Sequence, residues 1–185
     1  INSQASLSTS EDMGLTIQLT HLNVTDPDNT YPSGFTISIS PGANYTVIGQ
    51  TVTPVPEFSG MLNVPVTVSD GAASSGIFNL QISVTNSNDP PLITGQAGLS
   101  VAEETSLTLA LSHFIVTDPD NTYPDGFTLN VTPGNNYTVS GTTVTPAIDF
   151  TGSLGVGVTV SDGTTTSPVF NAVVNVGSVF AFLGG

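Results

Sequence analysis

The heptapeptide Asp-Pro-Asp-Asn-Thr-Tyr-Pro stands at residues 26–32 and recurs unchanged at residues 118–124. The offset is 92 residues (118 − 26 = 92), and it continues without a gap through the loops and strands on both sides. It relates Glu11 to Glu103, His21 to His113, Phe35 to Phe127, Tyr45 to Tyr137, Phe58 to Phe150 and Phe78 to Phe170. A fixed period of this length indicates two copies of one domain.

The two copies are joined by Asn-Ser-Asn-Asp-Pro-Pro at residues 86–91. Two consecutive prolines stop a strand and stiffen the connection. The sequence therefore predicts a first repeat over residues 1–89 and a second over residues 90–185. Residues 179–185 are apolar and replace a second linker. They are a divergent last strand, the end of an excised piece, or a tail that pairs with another segment.

Hydrophobic residues alternate with polar ones within each copy. In the first copy the longest alternating series are Leu15, Ile17, Leu19; Phe35, Ile37, Ile39; Leu62, Val64, Val66, Val68; and Phe78, Leu80, Ile82, Val84. A period of two is typical of half-buried strands, and no helical period persists for three turns. About seven antiparallel strands per copy, without Cys or Trp, predict an all-β protein of two tandem Greek-key β-sandwiches with immunoglobulin-like architecture.

The charge of the chain excludes two classes of partner. It carries 14 Asp and Glu residues and no Lys or Arg, which gives a net charge of −14. Binding to nucleic acid or to anionic lipid would need cationic side chains, so neither partner is expected. There is also no apolar run of the roughly 18 residues that membrane insertion requires. Hydrophobic residues still make up 38% of the chain, enough to bury a core.

Most of the acidic residues keep their place in both copies. The registered pairs are Glu11 and Glu103, Asp26 and Asp118, Asp28 and Asp120, Glu57 and Asp149, and Asp70 and Asp162. Acids that only solubilise a surface would scatter between copies, so this register indicates a shared role. One such role is local, because Asp-Pro-Asp-Asn and Ser-Asp-Gly are turn formers whose Asp side chains cap backbone amides.

These residues also carry a resemblance to a known family. The chain has Glu11 at the end of its first strand, an Asp-x-Asp at residues 26–28, Glu57 thirteen residues before Asp70 (70 − 57 = 13), and the linker at residues 86–91. The ordered set resembles a cadherin repeat. The Phe-Ser-Gly and Val-Ser-Asp-Gly steps at residues 58–60 and 68–71 are more similar to the cadherin-like tandem repeats of bacterial surface adhesins. Pro90 departs from the family, which usually has Asn there.

The resemblance implies Ca²⁺ at the junction between repeats. The implied ligands are Glu11 and Glu57 from the first copy, Asn86, Asn88 and Asp89 from the linker, and Asp118, Asp120 and Asp162 from the second copy. It also implies half-sites at the outer ends, formed by Asp26, Asp28 and Asp70 and by Glu103 and Asp149. Ca²⁺ takes about six to eight oxygen ligands and needs no His or Cys. Without Ca²⁺ the carboxylates would repel one another, so we expect a loose junction that stiffens on binding.

The resulting expectation is a pair of calcium-rigidified extender repeats of a large secreted adhesin on a bacterial cell surface. Neighbouring repeats of the same chain are the expected partners. The alternative is a calcium-dependent module that itself binds carbohydrate or another adhesin, with Tyr31, Tyr45, Tyr123 and Tyr137 stacking on sugar rings. An enzyme is not expected, because His21 and His113 occupy equivalent positions and no nucleophile, base and acid form a differentiated set.

Overall fold

The structure is a computed structural model of the chain, and it describes residues 1–178. The predicted apolar tail at residues 179–185 lies outside the described residues. The chain divides into two compact units, Ile1–Ser87 and Asn88–Gly185. None of the helical segments among residues 1–178 is long and apolar enough to cross a membrane.

The regular secondary structure of the first unit consists of strands and one 3-10 turn at Leu19–His21. Its strands are β1 (Ser3–Gln4), β2 (Ser8–Ser10), β3 (Leu15–Thr16), β4 (Leu22–Asn23), β5 (Thr36–Ile39), β6 (Tyr45–Ile48), β7 (Thr51–Pro54), β8 (Gly60–Ser69) and β9 (Phe78–Thr85). They form a four-stranded sheet in the order β2-β9-β8-β5, a three-stranded sheet in the order β3-β7-β6, and the pair β1-β4.

The second unit repeats this arrangement, again with one 3-10 turn, at Leu111–His113. Its strands are β10 (Leu92–Gln96), β11 (Leu99–Ala102), β12 (Leu107–Thr108), β13 (Phe114–Thr117), β14 (Thr128–Val131), β15 (Tyr137–Ser140), β16 (Thr143–Pro146), β17 (Gly152–Ser161) and β18 (Phe170–Gly177). The sheets are β11-β18-β17-β14, β12-β16-β15 and β10-β13. The prediction of two tandem all-β sandwiches is therefore confirmed.

The alternating residues form the core of each sandwich. In the first unit, β8 buries Leu62, Val64, Val66 and Val68, and β9 buries Leu80, Ile82 and Val84. The antiparallel register of these strands sets Val64 opposite Leu80, and both side chains are fully buried. Each such side chain contributes roughly 1.5–3 kcal/mol by leaving water. A separate cluster of equivalent residues fills the second unit.

Three details differ from the predicted strands, the first being that each unit has nine strands rather than about seven. The chain pairs β2 with β9, and β11 with β18, in parallel, so the sheets are not wholly antiparallel. The alternating series from Leu15 to Leu19 is also not one strand, because β3 ends at Thr16 and the 3-10 turn follows. In that turn the N–H of Gln18 donates to Nδ1 of His21 at 3.2 Å, a bond that sequence periodicity does not reveal.

A side-chain amide explains how the first strand changes sheets. β1 pairs with β4, whereas β2 pairs with β9. Between them, Gln4 donates from Nε2 to the carbonyl of Gln81 and accepts the N–H of Gln81 at Oε1, both at 2.7 Å. The amide thereby satisfies the backbone of β9 where no strand covers it. Gln96 makes the same two bonds with Val173 in the second unit.

Truncation of the core tests this packing. We expect Leu80→Ala to destabilise the first unit by about 2–5 kcal/mol, because the site is fully buried and would be left with a cavity. Ile77→Ala is the control, since Ile77 is 73% exposed and should change stability by less than about 0.5 kcal/mol. Equal effects of the two variants on urea unfolding would contradict the proposed core.

Candidate functional site

The first Asp of each repeated heptapeptide organises its own turn. Oδ1 of Asp118 accepts the N–H groups of Asp120 and Asn121 at 2.9 and 2.7 Å. Asp26 makes the same pair of bonds to the residues two and three positions further on, both at 2.9 Å. These are Asx turns, so the capping role expected from the sequence is present in both units.

The Asp of each Ser-Asp-Gly segment acts in the same way. Oδ1 of Asp162 accepts the N–H groups of Thr164 and Thr165 at 2.6 and 2.7 Å. Oδ1 of Asp70 likewise accepts the N–H groups of the residues two and three positions further on, at 2.9 and 2.7 Å. In each of these turns one carboxylate oxygen holds the backbone, and the second oxygen, Oδ2, is left for another partner.

In the second unit, linker residues donate to carboxylate oxygens of Asp162 and Asp120. Nδ2 of Asn88 donates to Oδ2 of Asp162 at 2.8 Å and to Oγ1 of Thr165 at 2.9 Å. The N–H of Asp89 donates to Oδ2 of Asp120 at 2.7 Å. The structure thus brings together Asn88, Asp89, Asp120 and Asp162, four residues of the predicted ligand set. Asn121, which the prediction omitted, donates from Nδ2 to Oδ1 of Asn88 at 3.1 Å.

The hydrogen bonds stabilise the charged form of the carboxylates. The side-chain bond from Asn88 and then the N–H of Thr165 lower the pKa of Asp162 well below its ordinary value. The N–H groups of Ala73 and Ala72 lower the pKa of Asp70. Both groups are therefore fully ionised at neutral pH, and neither repeat has a Lys or Arg to neutralise them.

Among residues 1–178, two acidic oxygens are buried without a hydrogen-bond partner: Oε2 of Glu11 and Oδ2 of Asp118. The Glu11 side chain is only 1% exposed, and its other oxygen accepts the N–H of Ser87 at 2.9 Å. A buried, unpartnered carboxylate oxygen is unfavourable unless a cation or a donor reaches it. Glu11 and Asp118 both belong to the predicted ligand set, so the orphaned oxygens fit a hard cation.

The remaining predicted ligands lie at equivalent places in the two units. Glu57 and Asp149 are exposed residues with positive φ values of 63° and 60° in the turns before β8 and β17. Glu103 follows β11, and its N–H donates to the carbonyl of Gly177 at 2.8 Å. Asn86 follows directly after β9. These positions agree with the 92-residue offset, which relates Glu57 to Asp149 and Glu11 to Glu103.

No group of three or more His, Cys, Asp or Glu side chains within residues 1–178 is positioned to hold a metal ion. In the second unit, the amide of Asn88 and the N–H of Asp89 donate to oxygens of Asp162 and Asp120. The predicted ligand set therefore stays a prediction.

The tyrosines pack inward. Tyr45 is buried and donates to the carbonyl of Ser40 at 2.7 Å, and Tyr137 donates to that of Thr132 at 2.8 Å. Gly42 makes room for this bond, because a Cβ there would lie 2.6 Å from the Tyr45 hydroxyl. Tyr31 donates to the carbonyl of Leu19. These rings are not exposed platforms for a sugar.

The comparisons with known proteins agree with this architecture. Residues 1–83 match the family model described as bacterial Ig domain. That match lies within the first repeat. Among solved structures, human protocadherin-24 EC1-2 is 15% identical, with 95% of each chain covered and a TM-score of 0.50. The cadherin-like fold predicted from the sequence is thereby confirmed.

Two further solved structures match with lower TM-scores. The protocadherin GammaB4 extracellular domain is 18% identical over 95% of this chain and 32% of that chain, with a TM-score of 0.45. An endo-fucoidan hydrolase from glycoside hydrolase family 107 is 19% identical over 80% of this chain and 24% of that chain, with a TM-score of 0.34. No curated protein matches the sequence.

A pH titration tests the linker contact. We expect Asn88→Ala to raise the pKa of Asp162 toward its ordinary value of 3.8, because the Asn88 amide is the largest influence that lowers it. The measurement is the carboxyl carbon signal of Asp162 by NMR across pH in chelator. Asp70 is the internal control, since its pKa is lowered by its own turn. An unchanged Asp162 titration would contradict the contact.

The lowered pKa of Asp162 also sets the direction in which the stability of the second unit changes with pH. Because the pKa of Asp162 in the folded unit lies below 3.8, its carboxylate stabilises the second unit above roughly pH 3.8. That stabilisation is lost as the pH falls through the lowered pKa. We expect Asn88→Ala to reduce the loss of stability that the second unit shows between neutral and strongly acidic pH.

Proposed function

We propose that the chain is a pair of calcium-rigidified extender repeats from a large extracellular adhesin of a bacterial cell surface. The observation that carries the proposal is the pair of buried, unpartnered oxygens on Glu11 and Asp118 in a chain without Lys or Arg. The match of residues 1–83 to bacterial Ig domains supports an adhesion or extender repeat. The role is mechanical rather than catalytic.

The proposed ligands come from both repeats and the linker. Ca²⁺ would supply positive charge and accept oxygen ligands in a flexible geometry. The residues that would hold it are Glu11 and Glu57 of the first repeat, Asn86, Asn88 and Asp89 of the linker, and Asp118, Asp120 and Asp162 of the second repeat. The Asx turns set the backbone of these segments before any ion binds, because Oδ1 of Asp118 and Oδ1 of Asp162 already hold N–H groups.

The outer acids are proposed to serve neighbouring repeats in the same way. Asp26, Asp28 and Asp70 would form half of one further site, and Glu103 and Asp149 half of another. Each repeat would then share ions with the repeat before it and the repeat after it. Neighbouring repeats of the same chain are the proposed partners. The carbohydrate-binding alternative loses the aromatic platforms that suggested it, because the tyrosines bond inward to backbone carbonyls.

Calcium should stabilise the chain. A ligand at ten to one hundred times its Kd stabilises the folded state by roughly 1.4–2.7 kcal/mol per site. For a domain of this size we expect a rise in Tm of about 4–8 °C per kcal/mol. The maximum dimension in small-angle scattering should also become better defined with calcium than with chelator. Unchanged Tm and scattering would contradict the calcium role.

Neutral variants separate specific binding from general charge screening. Glu11→Gln and Asp118→Asn should reduce the calcium-dependent rise in Tm. In chelator, the same variants should be neutral or stabilising, because each removes a buried charge that has an orphaned oxygen. Asp125→Asn is the matched control, since Asp125 is exposed and unregistered but carries the same charge. If all three variants behave alike, the calcium effect is one of net charge only.

A further inference from the structure

The chain contains three Asp-Gly steps, at residues 70–71, 125–126 and 162–163. This dipeptide is chemically reactive, because glycine has no side chain to keep its backbone nitrogen away from the preceding carboxyl carbon. Attack of that nitrogen on the carboxyl carbon closes a five-membered succinimide ring, which water reopens to aspartate or to isoaspartate. Whether a given step reacts depends on how the fold holds the carboxyl group and the glycine N–H.

Two of the three steps are held by their own turns. Oδ1 of Asp70 accepts two backbone N–H groups at 2.9 and 2.7 Å, and Oδ1 of Asp162 accepts two at 2.6 and 2.7 Å. The N–H of Gly71 donates to Oγ of the serine that precedes the Asp at 3.2 Å, and the N–H of Gly163 does the same at 3.1 Å. In both steps, therefore, the carboxyl group and the glycine nitrogen are bonded to other groups.

These bonds also disfavour the protonated carboxyl group that the reaction needs. Ring closure expels one carboxyl oxygen as water, so the carboxylic acid reacts rather than the carboxylate. The N–H of Ala73 is the largest influence that lowers the pKa of Asp70, and the amide of Asn88 is the largest that lowers the pKa of Asp162. The reactive form is therefore rarer at these two sites than at an ordinary aspartate.

The turn around Asp125 is built differently. The Asp125 side chain is exposed, and no hydrogen bond within residues 1–178 holds its carboxyl group. Its N–H donates to the carbonyl of Thr122 at 3.1 Å, so the turn is closed by backbone alone. The serine that binds the glycine N–H in the other two steps is replaced here by Pro124, which has no hydroxyl. The carboxyl group can therefore rotate toward the nitrogen of the exposed Gly126.

The first unit has the same turn without the carboxyl group. The N–H groups of Ser33 and Phe35 donate to the carbonyls three residues earlier, both at 3.1 Å, and those of Asp125 and Phe127 do the same at 3.1 Å. The glycine between each pair has a φ of 81° in the first unit and 82° in the second. The backbone is therefore alike, and the first unit has Ser where the second has Asp.

We propose that Asp125 is the site at which the folded chain forms isoaspartate. The nitrogen of Gly126 bonds to Cγ of the protonated Asp125 carboxyl group, and one carboxyl oxygen leaves as water with its own proton and the amide proton. A second water then adds to one of the two ring carbonyls and breaks its bond to nitrogen. Opening at the α-carbonyl gives isoaspartate, in which the main chain has gained one methylene and the mass is unchanged.

The added methylene lengthens the turn that positions a core residue. Phe127 is 7% exposed, and its ring packs edge-on against that of Tyr123 with 5.2 Å between centroids. The hydrogen bond from the N–H of Phe127 to the carbonyl of Pro124 spans the altered link. Isoaspartate at residue 125 should therefore destabilise the second unit and leave the first unit unchanged.

The test is incubation of the folded chain at mildly acidic pH in chelator, so that calcium protects none of the sites. A protease that cuts after Phe then releases peptides, and electron-transfer fragmentation distinguishes isoaspartate from aspartate. We expect isoaspartate to accumulate several-fold faster at residue 125 than at residues 70 and 162. In urea, where all three turns are lost, the three sites should react at similar rates.

Asp125→Ser is the matched variant, because it installs the residue of the first unit in the same turn. It should remove the fast site, and after incubation it should keep the Tm of fresh protein, whereas the second unit of the original chain loses Tm. Equal rates at the three sites of the folded chain would overturn the proposal, and so would reaction at residue 125 only in urea. Asp125→Asn forms the same ring by expelling ammonia, so its calcium measurements need freshly prepared protein.

Discussion

The constraint on which this molecule depends is the placement of carboxylates in a chain that has no cationic side chain. A folded protein must give every buried or half-buried acid a donor or an ion. Here the first donors are backbone N–H groups, because Asp26, Asp70, Asp118 and Asp162 each close a turn with Oδ1. The other oxygen of each carboxylate, Oδ2, can then accept a further hydrogen bond or bind an ion. These acids can therefore both form turns and bind another group.

The two repeats show different solutions to the same problem. In the second unit, Asn88 and Asp89 satisfy Oδ2 of Asp162 and Oδ2 of Asp120. In the first unit, Asn29 reaches across to Asp70. Oε2 of Glu11 and Oδ2 of Asp118 are buried and receive no hydrogen bond. We interpret Oδ2 of Asp162, Asp120 and Asp70 as oxygens for which a hydrogen-bond donor and an ion compete. We interpret the unpartnered oxygens of Glu11 and Asp118 as oxygens that only a cation suits.

The fold could be predicted because its signals are periodic. Alternation identified β8 and β9, and the 92-residue offset assigned the same strands to the second unit. The broken strand before the 3-10 turn and the sheet switch at Gln4 depend on single side-chain bonds, to His21 and to the backbone of Gln81. The hydrophobic periodicity of the sequence does not reveal such hydrogen bonds. The roles of Asn121 and Thr165 were missed for a similar reason, since neutral side chains stand out only when their carboxylate partners have been placed.

The central proposal is that the registered acids are calcium ligands. Calorimetric titration of the whole chain with Ca²⁺ at low ionic strength tests that claim directly. We expect saturable binding with Kd in the range of about 10⁻⁴–10⁻³ M that is typical of extracellular modules. Combining Glu11→Gln with Asp118→Asn should greatly weaken it. Unsaturable binding, or saturable binding that the double variant leaves intact, would contradict the claim.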